Sequence, residues 1–326
     1  MILQYALRLL CLCLASFFLV NAAVGMTMVL ASRTAVRMAE SMCPRSAARF
    51  LFVARVLPCA LGAGAVLALC LPSYLWLEPQ TSSESIGWAC LALALVGAAG
   101  WLGSIARVAH AFAASVRFNR AWQQGGCETL LAGESSKAVI VEKDAPLLAL
   151  VGVFRPRLVV SQTVLRSLST EELHLALQHE NAHRISRDNL KRLVLLLAPA
   201  PVPLLRGFSS LERSWAKFSE WAADDEAVRG DSHRGLSLAA ALLRVARMGA
   251  APRLSFLHTS LCAGDHELSA RVDRLLCVQP LHAKPLSRAR SLAIGSGLGM
   301  AVCMAVLTVW PATLSSVHRL LELFLR

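Results

Sequence analysis

The run LALQHENAH, residues 175–183, sets His179 and His183 four positions apart with Glu180 between them. Residues four apart on a helix share a face, so the two imidazoles can converge on one tetrahedral zinc ion (Zn2+), and Glu180 can act on a water there as general base. The chemistry would be metal-assisted hydrolysis. A catalytic zinc takes three protein ligands and keeps a fourth position open, so a third ligand is required. Glu220 is the candidate, because it lies downstream on an expected helix with Asp224 one turn later, in SEWAAD. From there Asp224 can accept a hydrogen bond from the far ring nitrogen of a liganding histidine and fix its tautomer. The competing reading of this carboxylate pair is a solvated acidic helix face. Among the other histidines, His174 is on the wrong face for chelation, His233 is a fallback ligand, and His110, His258, His266, His282 and His318 are isolated.

These side chains need helices to hold them. In SLSTEELHLALQHENAH, Ser169 followed by Glu172 makes a capping box, and acidic residues favour the positive end of the helix. Leu173, Ala176 and Leu177 then give an apolar stripe that carries the helix through His183. Upstream, residues 137–165 contain β-branched runs at 138–141 and 157–160, punctuated by Asp144, Pro146, Gly152 and Pro156, which reads as two or three short strands. An exposed edge there could accept an extended peptide, or the strands simply cover the helix. A second polar helix is expected from about 209 to 229 and a third from about 268 to 276. The apolar stretch 193–205 holds Pro199, Pro201 and Pro203 and is short, so it reads as an interfacial or re-entrant segment or a buried connector, rather than a span.

The rest of the chain is too apolar for an ordinary soluble protein: of 326 residues 56% are hydrophobic and 17% charged, with a mean hydropathy of +0.53. Windows free of Lys, Arg, Asp and Glu cover 9–32, 56–77, 85–106 and 291–318, each long enough to cross ~30 Å of hydrocarbon. Four transmembrane helices are therefore expected, the last at about 291–313. The first window could instead be a signal peptide, but its apolar run continues to Ala31, past a normal signal core. Arg33, Arg37, Arg45 and Arg49 lie in the loop between the first two spans, whereas the next loop holds Glu78 and Glu84 and no Lys or Arg. The first loop is thus cytoplasmic and the N-terminus outside. Three regions follow: a membrane region at 1–117, a cytoplasmic domain at 118–288, and the last span with a short external tail at 289–326. The formal charge of +12 does not point to nucleic acid, since its cations are scattered and lack an aromatic-rich basic motif. They read as a face beside anionic lipid. Cys11, Cys13, Cys59, Cys70, Cys90 and Cys303 fall in apolar spans, no CxxC pair occurs, and Cys127, Cys262 and Cys277 should be reduced.

The four spans, the domain between the third and fourth, the run STEELHLALQHENAHRISRDNL and the later FSEWAADDEAV together resemble the BlaR/MecR-type membrane metallopeptidases, the zinc peptidase parts of beta-lactam sensor-transducers. The ELSARVDRLL segment fits the same family. The resemblance implies a mainly α protein with an inserted α+β gluzincin-type peptidase domain facing the cytoplasm of a bacterial inner membrane. It further implies zinc on His179, His183 and Glu220, Glu180 as base, Asp224 behind a ligand, and a transcriptional repressor as the substrate class. A large extracellular penicillin-binding domain follows the last span in the sensors, whereas this sequence ends at Arg326. Direct beta-lactam sensing is therefore not expected; a signal would come from a membrane partner, from lipid or from self-cleavage. The oxyanion stabiliser is open, since Tyr5 and Tyr74 lie in or beside spans and His233, Arg187 and Arg229 are the remaining candidates. Two non-enzymatic alternatives stand beside this reading. One is an inactive signalling or scaffolding subunit with the same fold; the other, a transporter component, lacks intramembrane acidic residues.

Overall fold

In a stretch without charged residues surrounded by lipid, the backbone must satisfy its own hydrogen bonds, and a helix does so within one segment. The computed structural model describes residues 2–77, 87–123, 127–130, 137–142, 146–200, 207–248, 259–260, 265–277, 315–316 and 319. Its first third is three long helical stretches: α1 (Ile2–Glu40), α2 (Pro44–Ala65) running through a π-helical turn (Val66–Cys70) into α3 (Leu71–Leu77), and α4 (Trp88–Gln123). All three are long and apolar enough to cross a membrane, and only 22–33% of their most apolar windows is buried by protein. Leu30, Val53, Leu67, Leu95 and Leu102 point outward, as side chains facing lipid would. These helices fall on the windows expected as spans at 9–32, 56–77 and 85–106. The fourth, expected at 291–313, lies outside the described residues.

At 1.5 Å per residue the 39 residues of α1 extend about 58 Å, well beyond ~30 Å of hydrocarbon. The excess becomes a platform. At the far ends of α1 and α2, Ala39, Ala47, Ala48 and Leu51 pack on Phe208, Leu211, Trp215 and Phe218 of α8 (Gly207–Val228). Arg55 is buried in that contact, donating from Nε to Glu212 Oε1 at 2.7 Å. Similarly, α4 continues past residue 118, where the domain was expected to begin, and Phe118 packs against the sheet core.

The sheet has the order β1-β2-β4-β3-β5, from β1 (Cys127–Leu130), β2 (Lys137–Val141), β3 (Leu148–Val151), β4 (Arg157–Ser161) and β5 (Thr259–Ser260). Among the described residues only β2 and β4 pair in parallel. The strands expected within 137–165 are β2, β3 and β4; the two outer strands carry no comparable apolar run. At β3, the side-chain amide of Asn189 donates to Leu150 O at 3.0 Å and Gly152 O at 2.7 Å, so these carbonyls are already engaged. Helices complete the domain: α5 (Gln162–Ser167), α6 (Thr170–Ser186), α7 (Asp188–Leu197), α8, α9 (Ser232–Arg247) and α10 (Asp265–Leu276). Their core joins Leu175 and Ala176 of α6 to Leu238, Ala241 and Leu242 of α9 and to Leu275 of α10.

Residues 193–197 end α7, and the carbonyl of Ala198 then accepts from Arg55 Nη2 of α2 at 3.3 Å. Asn21, near the middle of the first apolar window, donates from Nδ2 to Pro199 O at 3.3 Å, while its buried Oδ1 has no hydrogen-bond partner among the described residues. Residues 201–205 of the proline-rich stretch lie outside the described residues.

Candidate metal centre

The capping box fixes where α6 starts: Glu172 N–H donates to Ser169 Oγ at 3.2 Å, and Ser169 N–H to the Glu172 carboxylate at 2.8 Å. From that start His179, Glu180 and His183 fall on the face packed toward α8, with exposures of 0%, 1% and 0%. Glu220 and Asp224 look back from α8, also buried. The solvated-face reading of these carboxylates does not hold.

The donor atoms meet closely. His179 Nε2 and His183 Nε2 are 3.2 Å apart, and Glu220 places Oε2 3.5 Å from the first and Oε1 3.6 Å from the second. Ligand atoms bound tetrahedrally to one zinc at 2.0–2.1 Å lie about 3.3–3.4 Å from each other, and each of these contacts, made to one or the other Glu220 oxygen, is close to that spacing; taken with one ligand atom per residue, the three groups lie within 4.8 Å of one another. His179, His183 and Glu220 could therefore hold a metal ion. The hydrogen-bond balance agrees: both Glu180 oxygens are buried without a hydrogen-bond partner, and the buried Glu220 oxygens, also without one, have beyond the histidines the ion-pair contacts of Arg271 at 3.2 Å and Arg192 at 4.0 Å, which leaves room for a further cation or polar ligand.

Carboxylates orient both rings from behind. Asp224 Oδ1 lies 3.0 Å from His179 Nδ1, a close ionic contact that misses hydrogen-bond alignment. Asp188 Oδ2 lies 2.7 Å from His183 Nδ1. With each Nδ1 facing a carboxylate, each Nε2 is left for the metal. Asp188 reaches this place because Arg187 takes a left-handed backbone (φ 54°), ends α6 and starts α7 in a new direction. Ser219 Oγ donates to Asp188 Oδ2 at 2.8 Å and Lys191 Nζ to Oδ1 at 2.7 Å.

Arg271 of α10 completes the cluster. Its Nε and Nη2 donate to the two oxygens of Asp224 at 2.9 and 2.7 Å, and its Nη1 lies 3.2 Å from Glu220 Oε2. Neither Arg271 nor Asp188 belongs to the motif spacing from which the site is expected. A sign was present for the first, since Arg271 shares the face of α10 that Leu268, Val272 and Leu275 bury, where an unpaired cation would be costly. For Asp188 the sign was weaker, an acid five residues after the second histidine.

The electrostatics follow from burial and these partners. Burial opposes the charged form of both histidines, yet Asp224 and Glu220 outweigh it at His179, and Glu220 and Asp188 lift His183 to about 10. Burial also opposes ionisation of Asp188 and Asp224, but His183 and Lys191 hold the first at about 2, and Arg271 and His179 hold the second at about 2. Glu220 is held well below the usual carboxylate range, chiefly by His183 against its own burial. This is a place that favours positive charge, which a divalent cation can supply by displacing protons. Glu180 behaves oppositely: burial raises it, as suits a proton acceptor.

The oxyanion candidates are exposed. The exposed His233 ring faces Glu171 at 3.1 Å, Arg229 faces Glu226 at 3.9 Å on the surface, and Arg187 forms the helix break. His174 contacts Gln178. No protein-family model matches the sequence, and no curated protein matches it.

Proposed function

We propose that this chain is an integral-membrane zinc metalloendopeptidase that cleaves a cytoplasmic or membrane-associated protein in regulatory signalling. The observation that carries the reading is the buried triangle of His179 Nε2, His183 Nε2 and Glu220 carboxylate oxygens beside an unpaired, buried Glu180. Two imidazoles and one carboxylate are the donor set of a catalytic rather than a structural zinc. When bound, zinc supplies Lewis acidity that lowers the pKa of water and polarises a peptide carbonyl. Glu180 takes the proton of the attacking water and returns it to the leaving amine. Asp224 and Asp188 keep the histidine rings turned so that their Nε2 atoms face the ion, and Arg271 holds Asp224 and Glu220 in register. The gluzincin-type fold, the fourth span and the cytoplasmic orientation belong to the same proposal, as does a repressor-type substrate. They rest on the motif resemblance and the arginine-rich first loop.

The test is metal analysis and proteolysis on the purified full-length protein. Glu180→Gln should keep zinc and lose cleavage, and should trap the substrate; Glu220→Ala should lose zinc. Cleavage retained by Glu180→Gln would overturn the assignment of the base.

A further inference from the structure

A second feature lies at the N-terminal end of α2, beside Asp188. A cavity of about 240 Å³ is lined there by Arg45 and Arg49 of α2, Ile185 of α6, Asp188 and Lys191 of α7, and Ser219 of α8. That volume is below the ~300–1,000 Å³ of sites for drug-sized ligands and suits a small charged group.

The lining carries three cations and one carboxylate, and the carboxylate is already satisfied by Ser219, His183 and Lys191. Arg49 has no carboxylate partner among the described residues, and Arg45 has only a 3.9 Å contact to the half-exposed Glu226. Both arginines also stand in the first two turns of α2, where the helix dipole is positive and acidic residues are the favoured ones. Adding cations there raises an already positive potential, which an anion relieves. Ile185, 66% exposed at the rim, adds an apolar wall.

We propose that this cavity binds a phosphate-ester anion through Arg45, Arg49 and Lys191. Depth along the helix leaves two sources for that chemistry. At 1.5 Å per residue Arg49 and Arg45 lie about 10 and 16 Å beyond the apolar window that starts at residue 56, against a headgroup layer of ~5–8 Å. An anionic lipid headgroup therefore reaches Arg49 through its side chain, and a free phosphate ester reaches both from solvent. Either occupant ties α2 to α6–α8 at the point where the domain meets the membrane region. This inference does not depend on peptidase activity.

The experiment is calorimetric titration of the full-length protein in neutral detergent with short-chain phosphatidylglycerol and, separately, with inorganic phosphate. Variants Arg49→Gln and Ile185→Ser are compared with Arg247→Gln, which removes an equal charge from an exposed position on α9. One cation near an anionic surface contributes a factor of roughly fivefold, so Arg49→Gln should weaken binding by about that much while Arg247→Gln leaves it unchanged. Binding of phosphatidylglycerol alone, weakened also by Ile185→Ser, identifies a lipid headgroup. Binding of inorganic phosphate with the same Arg49 dependence identifies a soluble phosphate ester. Equal weakening by Arg49→Gln and Arg247→Gln, or binding of neither probe by the wild type, would overturn the proposal.

Discussion

Removing Arg271 should make the protein depend on metal for its stability. Arg271→Leu keeps the apolar contacts of α10 but leaves Asp224 without its two charge-assisted hydrogen bonds and Glu220 without the cation 3.2 Å away. Both carboxylates are almost fully buried, so neither can turn to water. Breaking a buried pair by deleting one partner costs about 3–5 kcal/mol, because the remaining charge is uncompensated. In the chelator-treated protein that loss should appear in full, on the order of a 10 °C drop in the unfolding midpoint for a domain of this size. A bound divalent cation places positive charge directly on Glu220 and, through His179, close to Asp224. Zinc should therefore restore much of the lost stability, and the rise in midpoint on adding zinc should be larger in Arg271→Leu than in the wild type. Arg271→Lys keeps the charge but loses the bidentate fork and should fall between them. The assay is thermal unfolding in lipid nanodiscs, with chelator and with zinc. An equal loss in both states would mean that Arg271 only packs α10 and has no electrostatic link to the metal centre.

Asp188→Asn should lower zinc affinity by roughly 10–100-fold in a competition titration, because His183 loses the charged acceptor on its Nδ1. Stability should vary with pH in the metal-free protein: His183 is raised to about 10 from an ordinary 6.5, so its contribution is complete below about pH 6.5 and is lost as pH rises through 10. Zinc-loaded protein, whose ring nitrogen is metallated, should lack that decline in the same nanodisc unfolding series. A topology reporter fused near residue 240 should read as cytoplasmic, and an external reading would reverse the assigned orientation.

Local features were readable from the sequence because their physics is local. The Ser169–Glu172 box, the i,i+4 histidines and the acidic turn of α8 each depend on spacing within one helix, and charge-free windows mark the long helices without knowledge of what they touch. The unread parts depend on distant segments meeting. Asp188 reaches His183 only because Arg187 bends the chain through a left-handed turn, a conformation that nothing in an Arg-Asp pair announces. Arg271 acts from 47 residues beyond Asp224 across the helix packing. β5, two residues long, exists only because β3 offers it an edge. The boundary placed at 117–118 lies inside α4, which runs from Trp88 to Gln123, since a helix needs no break to leave a membrane.

The measurement that bears most directly on the central claim is X-ray absorption with elemental analysis on the purified full-length protein. Wild-type protein should carry stoichiometric zinc with two nitrogen ligands and carboxylate oxygen, and Glu220→Ala should carry none. Wild-type protein without stoichiometric metal, or with a sulfur-ligated one, would contradict the claim.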